Sequence, residues 1–116
     1  MPSPFTWFDL SVSDDDDVET FYTDLLGWTT APGAGGYRSW MVDGDQPWAG
    51  VTTGAAQGGG GWTPYVVVED LDAATRRAVE LGATVIRPAT TGPGGTSVEI
   101  TDPGGARLAL YVPARQ

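Results

Sequence analysis

Carboxylates and aromatic rings are the side chains with which this chain could do chemistry, because it has no histidine and no cysteine. Their absence removes the commonest general base and metal ligand, and it excludes disulfides and thiolate metal sites. Asp9 and Glu99 fall within predicted strands, where either carboxylate could act as an acid–base group or pair with a cation. The alternatives are a hydrogen-bonded structural role for Asp9, and a solvated or edge position for Glu99 and for the strand residue Arg38.

Trp7 lies two residues before Asp9, so the alternation of side chains along a strand places both on one face of a sheet. An indole at that position could stack on a flat or cationic ligand and donate one hydrogen bond. Five further aromatic residues lie on or beside predicted strands, where packing in the core is their commoner role: Trp40, Trp48, Trp62, Tyr65 and Tyr111.

A hidden duplication supplies the elements that position these residues. Shifting the sequence by 56 positions brings Val12 onto Val68 and Leu25 onto Leu81. Each copy predicts a strand, an Asp-rich turn, an amphipathic helix and three further strands, and the Gly-rich residues 54–61 predict a flexible connector. We therefore predict one domain over residues 1–116, with a first module at about 4–54 and a second at about 62–113.

In the first module, residues 5–12 predict a strand and the acidic run after them predicts a helix start, with Asp16 and Glu19 at the spacing of a capping box. Apolar residues recur along this helix with a period that predicts one buried face: Val18, Phe21, Tyr22, Leu25 and Leu26. Three strands are predicted near residues 28–31, 37–42 and 47–53.

In the second module, we predict a strand at residues 63–68, a helix at 71–81, and strands near 84–87, 97–100 and 107–112. Asp102-Pro103-Gly104-Gly105 predicts a tight turn between the last two strands. Neither βαβββ module could bury its sheet face alone, so we expect an α+β protein whose two sheets share a cleft.

The order of these pieces resembles the vicinal oxygen chelate superfamily, the group of glyoxalases, bleomycin-resistance proteins and dioxygenases. The Trp7-Phe8-Asp9-Leu10 strand and Leu25-Leu26-Gly27-Trp28 are similar to the first module of such proteins, especially of actinobacterial glyoxalase-like members. Val68-Glu69-Asp70-Leu71 and Glu80-Leu81-Gly82-Ala83 are similar to the second module. The resemblance covers nearly the whole chain and implies two βαβββ modules that form a cleft between two curved mixed sheets.

Enzymes of this superfamily typically hold one divalent metal in the cleft, with His and Glu ligands from the first and last strands of each module. The resemblance places the four ligand positions at Trp7, Gly50, Thr63 and Ala109. None of these residues supplies imidazole or carboxylate, so we expect no metal and no other cofactor. The residues expected to line the cleft and bind a ligand are Trp7, Asp9, Trp40, Thr63, Tyr65, Ala109 and Tyr111.

Fifteen acidic residues oppose six arginines, and the formal net charge of -9 argues against nucleic acid as a partner. The same charge is compatible with a cationic ligand, or with solubility alone. The chain has no apolar run long enough to span a membrane and no signal-peptide pattern, so we expect no membrane association and a cytoplasmic location. We also expect a two-fold symmetric homodimer, and whether the modules pair within one chain or between chains stays open.

Three functions remain open from the sequence. The first is a binding protein that sequesters a small organic molecule, planar or cationic, in an aromatic cleft, as bleomycin-resistance proteins of this fold do. The second is a metal-independent enzyme, such as a lyase, an isomerase or a dioxygenase-like protein, with Asp9 or Glu99 as its acid–base group. The third is a regulatory or structural module without a ligand.

Overall fold

The computed structural model describes residues 2–12, 15–32, 38–42, 47–53, 61–92 and 94–114. It confirms the predicted α+β class and the twofold βαβββ order. The elements are β1 (Phe5–Val12), α1 (Asp15–Leu26), β2 (Thr29–Pro32), β3 (Arg38–Met41), β4 (Pro47–Thr53), β5 (Gly61–Val67), α2 (Leu71–Glu80), β6 (Thr84–Gly92), β7 (Gly95–Thr101) and β8 (Arg107–Pro113). Tyr37 of a predicted strand, Asp14 of the acidic run and residues 54–60 of the predicted connector lie outside the described residues.

The chain forms two compact units: a first unit, Trp7–Trp62, and a second unit, Met1–Thr6 with Thr63–Gln116. In the first unit the strand order is β2-β3-β4-β1, with β1 parallel to β4 and the other neighbours antiparallel. In the second unit the order is β5-β8-β7-β6, with β5 parallel to β8 and the others antiparallel. Each unit packs one helix on one side of its strands, and no helix among the described residues is long and apolar enough to cross a membrane.

Aromatic rings fill the helix side of the first unit. Tyr22 of α1 stacks on Trp28, with ring centroids 5.3 Å apart and planes 9° from parallel. Its hydroxyl accepts a hydrogen bond of 2.9 Å from Trp62 Nε1. Trp40 is fully buried beside them, and Trp48 packs edge-on against Trp28 at 4.6 Å. Four of the five tryptophans are therefore core residues, the commoner role for aromatics on strands.

The predicted buried face of α1 is wrong in most of its described side chains. Phe21, Leu25 and Leu26 are 57%, 63% and 50% exposed, and only Tyr22 packs into the core. Tyr22 alone among them contacts the tryptophan rings of the core, namely those of Trp28, Trp40 and Trp62. The predicted capping box is wrong as well, because the Glu19 carboxylate forms an ion pair with Arg38 of β3 instead of capping the helix.

The second unit has an aliphatic core. Val68, Val98, Ile100 and Leu110 are buried, and the small apolar residues of α2 pack against them. Asp70 caps this helix by accepting a 3.0 Å hydrogen bond from the Ala73 amide. The Asp102 carboxylate accepts 2.9 Å hydrogen bonds from the amides of Gly104 and Ala106, which confirms the predicted turn before β8.

Candidate functional site

The side of each unit's strands that lies opposite its helix is called the far face. In the second unit, Val98 and Leu110 point into the core under α2, so their strand neighbours Glu99 and Ala109 point to the far face. The strand pairing aligns one row of residues across four strands: Tyr65, Ala109, Glu99 and Arg87. Directly aligned residues of neighbouring strands are in side-chain contact range, so the four side chains form one row, in which Ala109 is fully buried.

Two tyrosines provide aromatic surface on this far face. Tyr111 lies two residues after Ala109, and its ring meets that of Tyr65 edge to face, with centroids 5.8 Å apart and planes at 76°. Both rings are half-buried. The Tyr111 hydroxyl donates a 2.6 Å hydrogen bond to the carbonyl oxygen of Gly94, which fixes this ring against the turn between β6 and β7. The sequence prediction placed both tyrosines on one face, and the structure brings them together.

A charged pair ends the row. Arg87 Nε donates a 3.1 Å hydrogen bond to Glu99 Oε2, and Arg87 Nη2 donates a 2.8 Å bond to Ser97 Oγ. The two charged side chains are only 21% and 13% exposed. Glu99 therefore occupies neither the solvated nor the edge position that the sequence favoured, and it lies on the inner strand β7. Sequence reasoning missed Arg87, whose signal was an opposite charge to Glu99 at the end of a predicted strand.

Thr63 precedes Tyr65 by two residues and shares its far face. Its side chain is 1% exposed, and its hydroxyl oxygen has no hydrogen-bond partner within the described part of the chain. A buried hydroxyl without a partner costs about 1–3 kcal/mol, so Thr63 is a polar residue of the interior, like Ala109 a buried member of the predicted ligand-binding set.

On the far face of the first unit, the structure joins Trp7 to Asp9. Trp7 Nε1 donates a 2.9 Å hydrogen bond to Asp9 Oδ1, and both side chains are half-buried. Asp9 is aligned with Gly50 of β4, as Tyr65 is aligned with Ala109 in the second unit. The pairing thus reproduces the duplication, and the Asp9 carboxylate accepts a hydrogen bond on this face.

Trp40 does not join this face, in contrast to its predicted place in the cleft lining. It is aligned with Ala49, on the helix side of the strands, and it is 0% exposed, so it has no free surface with which to contact a ligand. The physical reason is the register of β3 on β4, which aligns Arg38 with Val51 of the core and Trp40 with Ala49. Because side chains alternate along a strand, Ser39 between them is the residue that shares the far face with Gly50. Arg38 also lies on the helix side, paired with Glu19.

The predicted ligand-binding residues thus fall into two groups and one exception. Trp7 and Asp9 lie on the far face of the first unit, and Trp40 lies in that unit's core. The group on the far face of the second unit is Thr63, Tyr65, Ala109 and Tyr111.

The residues at the family's metal positions do not fit a divalent metal. Trp7 and Gly50 in the first unit, and Ala109 in the second, offer no side-chain ligand atom for such an ion, and Thr63 offers a neutral hydroxyl. Nor does the described part of the chain contain a group of three or more acidic side chains that could hold a metal. The far faces can stack rings, accept hydrogen bonds and bind charge, and these are the interactions available to a ligand.

Comparisons with known proteins agree with this architecture. The family model described as a glyoxalase-like domain matches residues 6–111. CFP32 of Mycobacterium bovis, whose name assigns it provisionally as a glyoxylase, is 34% identical over 114 residues, which cover 90% of this chain and 44% of that protein. The anthracycline biosynthesis protein DnrV of Streptomyces peucetius is 34% identical over an alignment of 129 positions that covers 95% of this chain and 47% of DnrV. The chain therefore spans about half the length of the curated relatives it matches.

Solved structures show the same fold at lower identity. Methylmalonyl-CoA epimerase from Mycobacterium tuberculosis has a TM-score of 0.58 and 23% identity, covering 96% of this chain and 88% of the epimerase. The Streptomyces coelicolor methylmalonyl-CoA epimerase has a TM-score of 0.62 and 14% identity, covering 99% and 100%. At these identities the likeness is one of fold, and the predicted glyoxalase and bleomycin-resistance fold is confirmed.

Proposed function

Because the chain belongs to the glyoxalase-like family of the vicinal oxygen chelate superfamily, we propose that it binds a planar organic molecule, neutral or cationic, without a metal ion. The observation that carries this proposal is the edge-to-face pair of Tyr65 and Tyr111 on the far face of the second unit. Both tyrosines are only half-buried, whereas Trp40 is fully buried and Trp28, Trp48 and Trp62 pack against it in the core on the helix side. A flat ring that stacks on such a pair gains about 0.5–1.5 kcal/mol per contact beyond the burial of area.

The charge of the protein supports the preference for neutral or cationic ligands. A net charge of -9 raises the local concentration of cations and repels anions. The faces of aromatic rings also attract cations, which contributes about 0.5–2 kcal/mol for each contact. We place this binding protein in the cytoplasm, since a chain without cysteines needs no oxidising compartment.

The name of one relative supports a flat ligand. DnrV is named for anthracycline biosynthesis, and anthracyclines are planar, fused-ring aromatic compounds. DnrV is about twice as long as this chain, so the whole of its activity does not transfer, and only the class of ligand enters the proposal.

A metal-independent enzyme, such as a lyase, an isomerase or a dioxygenase-like protein, is the second candidate function. Glu99 favours it, because this largely buried carboxylate lies on the same row as Tyr65. Asp9 is the other acid–base candidate, although its carboxylate already accepts a hydrogen bond from Trp7. Turnover of a bound ligand that stops in Glu99→Gln or Asp9→Asn, while binding persists, would favour the enzyme over the binding protein.

Calorimetry with aminoacridine, a planar cation, tests the binding proposal. We expect saturable binding that Tyr65→Ala weakens roughly 2- to 10-fold, the loss of one aromatic contact. Phe21→Ala is the matched control, because Phe21 is an exposed ring on α1 in the other unit. Absence of saturable binding to the unmodified chain, or equal weakening by the two variants, would contradict the proposal.

A further inference from the structure

We propose that Glu99 selects the ligand by accepting a hydrogen bond, from an amine or another cationic donor, at the edge of a ring stacked on the tyrosines. Arg87 is the positioning residue for this carboxylate. The inference rests on the proposed function, because it names the polar group that the ligand of Tyr65 and Tyr111 must carry. The ligand class is therefore a planar aromatic amine or a related aromatic cation.

The spacing of the row fits such a molecule. Tyr65 on β5 and Glu99 on β7 are both aligned with Ala109 on β8, which lies between them. Neighbouring strands are about 4.8 Å apart, so the two side chains originate roughly 10 Å apart, about the length of three fused rings. The intervening side chain is the methyl group of Ala109, which is itself fully buried, so a ligand that reaches along the row would contact the side chains of Tyr65 and Glu99 on either side of it.

The hydrogen bonds of Arg87 leave an acceptor for the ligand. Its Nε binds Oε2 of Glu99, its Nη2 binds Ser97 Oγ, and its Nη1 donates 3.4 Å bonds to the carbonyl oxygens of Pro88 and Ser97. Oε1 of Glu99 has no hydrogen-bond partner within the described ranges. Glu99 is balanced in charge by Arg87, but its second carboxylate oxygen can still accept a hydrogen bond, so this end of the row suits an amine donor better than a carboxylate, which has no hydrogen to donate.

Two ligands of one shape separate this inference from simple stacking. Aminoacridine is cationic and carries an amine donor, whereas acridine at mildly alkaline pH is neutral and has none. We expect the unmodified chain to bind aminoacridine more tightly than acridine. Glu99→Gln should weaken the binding of aminoacridine roughly 10- to 100-fold, which is the usual loss for a hydrogen bond to a charged group. The same variant should change the affinity for acridine by less than about 2-fold. Glu80→Gln is the matched control, because it removes the same charge from an exposed residue of α2 in the same unit.

Further variants of Glu99 and Arg87 test whether the position of the carboxylate matters. Glu99→Asp keeps the charge but withdraws the carboxylate by one methylene, and it should lose the same preference, which also covers the case in which Glu99→Gln does not fold. Arg87→Met should reduce the preference for aminoacridine over acridine, and Arg87→Lys should restore most of it. An effect on folding alone would shift both ligands together.

The outcomes distinguish this inference from the proposed function. If Tyr65→Ala weakens aminoacridine but Glu99→Gln and Glu99→Asp leave the preference intact, the binding function stands and the role of Glu99 is overturned. Tighter binding of anthracenecarboxylate than of aminoacridine would also overturn it. If no planar ligand binds the unmodified chain, both proposals fail.

Discussion

Asp9 and Glu99 are both strand carboxylates, yet their partners give them different environments. Asp9 accepts its hydrogen bond from the neutral indole of Trp7, and Glu99 accepts from the guanidinium of Arg87. Both bonds end on a carboxylate, but only the partner of Glu99 carries a full positive charge that balances it. Trp7 contributes an aromatic ring and a hydrogen-bond donor to the far face of the first unit.

Replacing Trp7 should affect ligand binding, and replacing Trp48 should affect stability. Trp48 packs against Trp28 and Trp62 in the core, and truncation of a core tryptophan costs about 3–5 kcal/mol. We expect Trp48→Ala to lower the denaturation midpoint strongly but to bind planar cations normally when folded. The sequence-based prediction that Trp7 binds the ligand gives the opposite expectation for Trp7→Ala, namely weaker binding with a smaller change in unfolding free energy. Calorimetry beside urea unfolding separates the effects, and indifference of every planar ligand to Trp7→Ala would show that this face is not used.

The residues at the four metal positions predict that the purified protein binds no divalent metal tightly. Trp7, Gly50 and Ala109 provide no ligand atom, and a threonine hydroxyl alone cannot replace imidazole or carboxylate. Elemental analysis of protein purified without a tag should find well under one equivalent of zinc, nickel, iron or manganese after dialysis. Retention of one equivalent would mean that residues other than these four form a metal site.

At the scale of elements, the strands and the faces of their regularly alternating residues could be predicted from the sequence. Contacts that depend on the register between strands, or on which side chains fill the core, could not. Tyr65 and Tyr111 share a face because their strands pair without interruption, so alternation alone locates them. Trp40 could not be placed in this way, since alternation within β3 does not show which of its two faces lies under the helix until its register on β4 is known. The apolar pattern of α1 likewise predicts a buried face that includes Leu25, but the pattern does not show that Leu25 is largely exposed in the folded unit.

The Arg87–Glu99 pair depends on a register that single-strand patterns do not contain. Opposite charges on two predicted strands become a pair only once β6 and β7 are aligned, and β6 has two further irregularities in that alignment. Glu99 could therefore be predicted only as an isolated candidate, and the strand pairing shows that Arg87 is the residue that holds its carboxylate.

The turn between β6 and β7 should tolerate alanine at Gly92 and reject it at Gly95. Gly95 has φ of +142°, and an added Cβ would lie 2.2 Å from the carbonyl oxygen of Val112 on β8, whereas a Cβ at Gly92 meets nothing within 4 Å. We expect Gly95→Ala to destabilise the fold by about 2–4 kcal/mol and Gly92→Ala by less than about 1 kcal/mol. Urea unfolding measures both, and equal effects would contradict the backbone geometry of this turn. Because the Tyr111 hydroxyl donates a hydrogen bond to the carbonyl oxygen of Gly94, Gly95→Ala should also disturb the pair of Tyr65 and Tyr111.

At the scale of the whole molecule, acidic charge and exposed apolar surface act in opposite directions on self-association. Each chain carries a formal charge of -9, so two copies repel each other. Phe21, Leu25 and Leu26 nevertheless expose half or more of their surface along α1, and β2 and β6 are outer strands of their units. Exposed apolar residues and strand edges are surfaces that a second copy can cover.

We therefore predict a homodimer whose stability rises with salt. Repulsion between like charges is screened as the Debye length falls from roughly 30 Å at 0.01 M salt to about 8 Å at 0.15 M, whereas the gain from burying apolar surface is kept. Light scattering should give about twice the chain mass of 12.1 kDa at physiological salt, with a larger monomer fraction at low salt and micromolar concentration. A dimer held mainly by ion pairs would show the opposite salt dependence. A mass of one chain at every salt and protein concentration would contradict dimerisation itself.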